Sequence, residues 1–322
     1  MDAVRGDHKS LGAITSKIAQ GLVSGCDPAF YVERHGKDYF SEQTGKVHAI
    51  ESELMHPLLK GSVHIRRWAM DATALSVLFP YELASEGWKL IPPAKMKKDY
   101  PKAYAYLSDC RTQLEEREKK EMKNEKGETI TAIDGKPVFN RPFKGPDFYR
   151  FSRPQNFEVM PLPKLLVPAM AQRGEYAIDE SGAYYYVGSG GGGGGAHAIL
   201  PSVNVSLEYL CGLLNSACLD TFLHHVTTPF HSGWFAYSKG YIAQIPIKLP
   251  ETPAEKKLAA RITESVRLIM DAKLKLRAGS PGGNSPGLSD RDRGSLESEV
   301  EAHERRIDEA VFSLYGVDGL PE

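Results

Sequence analysis

Residues 197–222, HAILPSVNVSLEYLCGLLNSACLDTF, change hydrophobic period midway. His197-Ala198-Ile199-Leu200 is a short apolar run of strand length. Ser206 is a residue type that caps helices, and it can open a helix whose apolar positions are Leu207, Leu210, Leu214, Ala217, Leu219 and Phe222. Cys211 and Cys218, seven apart in that pattern, share a side directed to a core. A strand feeding a capped amphipathic helix predicts a mixed α/β (α+β) globular fold.

The same reading extends outward. Residues 164–168 (KLLVP), 183–187 (AYYYV) and 77–81 (VLFPY) read as strands, as does AFYV at 29–32. Residues 61–68 (GSVHIRRW) alternate apolar and polar, which predicts a half-buried strand. Residues 53–59 read as a short helix or turn around Pro57. Asp99 before Pro101 predicts a helix start, with the helix running to about Lys123 and carrying Tyr104, Leu107, Arg111 and Leu114 on one side. Gly127 breaks it, and a long irregular segment follows with Arg141 and Lys144. The six glycines at 190–195 read as a hairpin tip. A phosphate cradle would open a helix and be followed by lysine.

After Pro250 the texture changes. Thr252-Pro253-Ala254-Glu255 is a capping box with proline in the first turn. Stripes at Leu258, Ile262, Val266, Ile269 and Leu274, and at Leu296, Val300, His303, Ile307, Val311 and Leu314, predict helices at about 253–277 and 295–315. A Gly/Ser/Pro-rich linker joins them, and Gly316 suits the helix stop. The expected organisation is therefore a domain over 1–250 and a C-terminal amphipathic helix pair over 251–322, packed on itself or on another protein.

Composition bounds the function. The 322 residues are 41% hydrophobic and 25% charged, ordinary for a folded chain and incompatible with wholesale disorder. No apolar run approaches the roughly 18 residues of a membrane span. The polar N-terminus lacks a signal core, so a cytoplasmic protein with no membrane partner is expected. Four cysteines without CxxC spacing predict reduced thiols. Net charge is −1, yet residues 89–173 hold 18 Lys and Arg against 11 Asp and Glu. Such a basic middle suits an anionic partner, or a solvated helix. Nucleotide-loop, zinc-protease, hydrolase and kinase signatures are absent from the sequence. His224, His225 and His231 cluster, but adjacent histidines on a helix diverge by about 100° and do not share one ion easily. No Asp and Glu-x-Lys arrangement supports an independent nuclease.

Several ordered segments resemble the TaqI-like C-terminal specificity domain of adenine-N6 DNA methyltransferases and type IIG restriction–modification enzymes. They are GLVSGCDPAFYV (21–32), LLKGSVHIRRW (58–68), VLFPY (77–81), YPKAYAYLSDCRTQLEER (100–117), FYRFSRPQNF (148–157), KLLVPAMAQ (164–172), LEYLCGLLNS (207–216) and TPFHSGWFAYSKGYIAQIPI (228–247). The terminal stretch 307–316 joins them. The resemblance implies a non-catalytic DNA target-recognition domain that reads double-stranded DNA. A methyltransferase catalytic domain or subunit would bind S-adenosylmethionine elsewhere, since no cofactor motif and no Asn-Pro-Pro-aromatic motif is present here. The competing expectation is an assembly module that docks a methylase subunit through its C-terminal helices.

Phosphate contacts use Lys and Arg, while base edges are read by Arg, Lys, Asn and Gln. The candidate DNA-contacting residues are therefore Arg66 and Arg67 beside Trp68; Lys95, Lys97 and Lys98 before a helix; Arg141 and Lys144; and Arg150, Arg153, Gln155 and Asn156 in an aromatic, proline-bearing loop.

Overall fold

The computed structural model describes residues 2–132, 136–188, 194–202, 204–278 and 287–317. They form a mixed α/β fold in two compact units. The first comprises 1–21, 59–72 and 159–322, and the second 22–58 and 73–158. Contacts thus group the chain otherwise than by a cut at residue 250. The two C-terminal helices belong to the unit that also holds the N-terminus.

The first unit is built on an antiparallel sheet in the order Ala177–Asp179, Lys164–Pro168, Ala196–Pro201, Thr15–Gln20. The one helix read through Leu207 to Phe222 is two, because the extended backbone of Ser216 breaks it. Ser206 Oγ accepts the Tyr209 N–H at 3.1 Å and opens Leu207–Asn215. Ser216 caps Ala217–Val226 in the same way. In the Thr252 box, Thr252 Oγ1 accepts the Glu255 N–H while Glu255 Oε2 accepts the Thr252 N–H at 2.9 Å, opening Pro253–Ala278. The last helix, Asp290–Tyr315, starts five residues before the expected 295, because Ser289 Oγ caps it through the Asp292 N–H. Gly316 ends it at φ 64, a left-handed conformation that glycine adopts without strain. Residues 279–286 of the linker lie outside the described residues, as do 190–193 of the expected glycine tip.

The two long helices pack on each other and on Leu207–Asn215, burying Ile262, Val266, Ile269, Val300, Ile307 and Val311. Ala272 extends the buried stripe. Leu274 does not, being 62% exposed, because the 3.6-residue period carries it off the packed face. Close approach depends on Gly212. A Cβ there would lie 2.3 Å from Ile262 Cγ2.

Two further buried devices went unread in the sequence. Lys164 is fully buried and donates to Asp179 Oδ2 at 2.7 Å and to the carbonyls of Met160 and Leu162. Residues 61–68 are not one strand: Gly61–His64 is a helical turn, only Ile65–Arg66 is extended, and Trp68 takes φ 72. That turn drives the Trp68 ring into the core, where Nε1 donates to Glu304.

The second unit has an antiparallel sheet running Met55–Leu59, Leu75–Leu78, Tyr31–His35, Asp38–Ser41, Lys46–His48. AFYV is half helix, since Asp27–Phe30 forms a turn before the strand begins at Tyr31. An aromatic core of Phe30, Phe79, Tyr81, Phe151 and Phe157 covers the sheet, with Tyr81 and Phe157 ring centroids 4.5 Å apart. The helix expected over 99–123 is instead three pieces, Pro93–Asp99, Pro101–Asp109 and Arg111–Glu116. Asp99 does not cap. The carboxylate of Glu51 does, accepting the N–H groups of Lys102 and Ala103 at 2.9 and 2.7 Å.

Gly212→Ala tests the helix contact. It should destabilise the protein by about 1–3 kcal/mol in urea unfolding, the usual cost of overpacking. Unchanged stability would contradict the close approach.

Candidate nucleic-acid interface

The candidate residues divide between the units. Arg66 and Arg67 lie in the first, and all the others in the second.

In the second unit the helix run stops at Glu116 because Arg117 turns inward. Arg117 is extended at ψ 144, Glu118 follows at φ 53, and Arg117 is only 7% exposed. Its guanidinium lies 3.9 Å from the Phe143 ring centroid and donates to the carbonyls of Phe148 and Arg150. Burial pushes its pKa down to about 10, so it stays cationic at neutral pH. Nε and Nη1 are buried without a hydrogen-bond partner among the described residues. Arg111 repeats the theme. It stacks over Phe148 at 4.6 Å and reaches the Gly145 carbonyl at 3.3 Å. Arg150 also lies over Phe143, at 4.6 Å, while bonding Asp147 Oδ2 and the Pro142 carbonyl.

Cation–aromatic contacts and carbonyl bonds thus fold the 141–153 loop onto the helices. The backbone is fixed further along: Phe151 N–H donates to Tyr81 Oη, Ser152 N–H to Ser24 O and Arg153 N–H to Val23 O.

This anchoring sorts the candidates. Arg150 is committed to the loop's own structure. Lys95 pairs with Glu82, and Arg141 with Glu116 at 2.9 Å. Gln155 and Asn156 are half-buried and already have partners within the protein. Lys97, Lys98, Lys144 and Arg153 are exposed and have no carboxylate partner among the described residues. Lys97 Nζ lies 5.1 Å over Tyr104, whose ring neighbours Phe148. Lys102 is a further exposed, unpaired cation that the sequence reading passed over. Contacts therefore run from Lys97 through Tyr104 and Phe148 to Arg111 and the loop carrying Lys144.

Charge in this unit is local, not global. It contains 19 Lys and Arg and 19 Asp and Glu, because the acidic 22–58 segment offsets the basic surplus. Residues 120–140 are not irregular throughout. Lys120–Glu121 pairs with Phe139–Asn140, and isolated bridges join Lys123 to Thr129 and Thr131 to Pro137.

In the first unit, Arg67 Nε donates to Glu304 Oε1 at 2.7 Å and the guanidinium stacks over Trp68 at 4.9 Å. Arg66 pairs with Asp71 at 3.0 Å and bonds the carbonyls of Ser62 and Val63. The histidines do not converge on an ion. His224 stacks on Phe235 at 3.7 Å and meets Tyr237 Oη, His225 Nδ1 turns back to the Thr221 carbonyl, and His231 is exposed. No group of three or more His, Cys, Asp or Glu among the described residues is placed to hold a metal. The four cysteines are free thiols, and burial raises Cys211 and Cys218 to about 12. No helix among the described residues is long and apolar enough to cross a membrane.

Comparison with protein-family models and with curated proteins returns no match.

Arg117→Met should free the loop while preserving side-chain length. The amides of Phe151, Ser152 and Arg153 should exchange at least about tenfold faster, the effect of losing roughly one net hydrogen bond's worth of local stability. Hydrogen exchange read by mass spectrometry or NMR checks this. Unaltered protection would show that Arg117 does not hold the loop.

Proposed function

We propose that this chain is the DNA target-recognition part of an adenine-N6 DNA methyltransferase or type IIG restriction–modification enzyme. Its role is to read sequence, and methyl transfer from S-adenosylmethionine belongs to a catalytic domain or subunit. No residue of this chain is assigned to the cofactor.

The observation that carries the reading is the set of exposed cations without a carboxylate partner among the described residues: Lys97, Lys98 and Lys102 on two short helices, and Lys144 and Arg153 on a loop whose backbone is already fixed. Phosphate contacts need such charges because an internally paired cation must first break its own bond. A fixed loop also lowers the ordering cost of presenting Arg153 to a groove. The ordered resemblance across the chain supplies the enzyme class. The assembly-module reading loses its main support, since the apolar stripes of the long helices are buried within the first unit.

Replacing Lys97, Lys98, Lys144 and Arg153 together with glutamine should weaken duplex binding. If all four touch phosphates, the slope of log affinity against log salt should fall by about 0.9 per contact. Fluorescence anisotropy across a salt series reads both quantities. Selection from a random duplex pool should enrich a common sequence. A wild-type chain that binds no duplex at low salt, or enriches nothing, defeats the proposal.

A further inference from the structure

Arg66 and Arg67 find no place in the second unit's cation set, yet the first unit brings them into a cationic cleft of its own. The cleft is about 290 Å³ and is lined by Arg66 and Arg67 together with Lys273, Arg277 and Arg293; Asp71 and Glu297 are the carboxylates on its wall. Three separate stretches supply it: the turn after Ile65–Arg66, the end of Pro253–Ala278 and the start of Asp290–Tyr315.

Five cations in one cleft repel one another, and Lys273 and Arg277 also sit four apart on one helix face, a mildly unfavourable like-charge pair. Internal pairing relieves only part of this. Asp71 takes Arg66, Glu304 takes Arg67, and Arg293 also has a partner within the protein. Arg277 Nη1 donates to the Met70 carbonyl at 2.9 Å, and Arg66 uses two further carbonyls. Those acceptors orient the guanidinium groups but carry no charge, so the five cations are offset only by Asp71, Glu297, Glu304 and the nearby Glu175, and positive charge is left in small surplus. Lys273 has no partner among the described residues and is half-buried on the wall. The unit around the cleft is not basic, since the whole chain is at −1 and the other unit at zero. The concentration of charge is therefore specific to this place.

We propose that this cleft binds phosphate groups. Lys273 and the remaining donors of Arg277 would hold phosphate oxygens, while Arg66 and Arg67, already bonded to Asp71 and Glu304, add their charge to the field rather than direct contacts. The site is independent of the cations proposed for DNA recognition in the second unit, so either can fail alone.

Inorganic pyrophosphate is the probe, titrated into the full chain by calorimetry. Saturable binding is expected, weakened at least about tenfold in Lys273→Gln/Arg277→Gln through loss of two charge-assisted contacts. Glu297→Gln should tighten binding, because it removes a repelling carboxylate. The altered side chains lie at the cleft surface, and unchanged thermal unfolding of the variants confirms that the fold is kept. A labelled duplex identifies the source of the phosphate. If the double variant also loses duplex affinity and pyrophosphate competes with the duplex, the ligand is a nucleic-acid backbone. If duplex binding is unchanged, the ligand is a free phosphate compound. No pyrophosphate binding by the wild-type chain, or equal binding by the double variant, overturns the proposal.

Discussion

One guanidinium sets the conformation on which the candidate interface depends. Arg117 is buried, lacks a carboxylate partner among the described residues, and leaves two nitrogens unbonded there. Burying a lone charge is costly. The offset comes from the Phe143 face and from two main-chain carbonyls, both of which belong to the loop it organises. The charge is therefore tolerated only while the loop is folded against it. Residues 143–153 have few alternatives that would satisfy the same group.

That arrangement changes the meaning of the basic middle. Arg111, Arg117 and Arg150 count toward the surplus of residues 89–173, yet each holds the unit together. The charge available to a partner is smaller and better defined than the count. It includes Lys97, Lys98 and Lys102 on the helices and Lys144 and Arg153 on the loop. Similar side chains thus serve as internal struts in one place and as available charges a few residues away, and the hydrogen bonds that Arg111, Arg117 and Arg150 already make within the unit separate the two uses.

Much of the fold was legible because its signals are local. Ser206, the Thr252 box and Gly316 act within four residues, and the stripes of the long helices repeat every turn. What could not be read depended on distant partners. Asp99 looked like a cap, but the acceptor is Glu51, far back in the chain. Residues 61–68 alternate as a strand would, yet Trp68 is pulled inward by a core completed only by Glu304. Nothing local marks Lys164 as a buried cation, because its partner Asp179 lies on the neighbouring strand. For the candidate site, the sequence pointed to a region and to residue types. It could not separate Arg153 from Arg150, because only the fold shows which guanidinium already has Asp147 and Phe143.

The strand order in the first unit also bears on biogenesis. Ala19 pairs with Ala198, and the helices that cover that sheet come later still. During translation the whole second unit, ending at residue 158, emerges from the ribosome before the N-terminal strand meets its partner. The early strand must then wait with an unpaired edge while more than a hundred residues are added, a period in which chaperones or premature association would compete for it. The strand at 15–20 is therefore the element of this sheet most exposed to misassembly until the strand at 196–201 has been made.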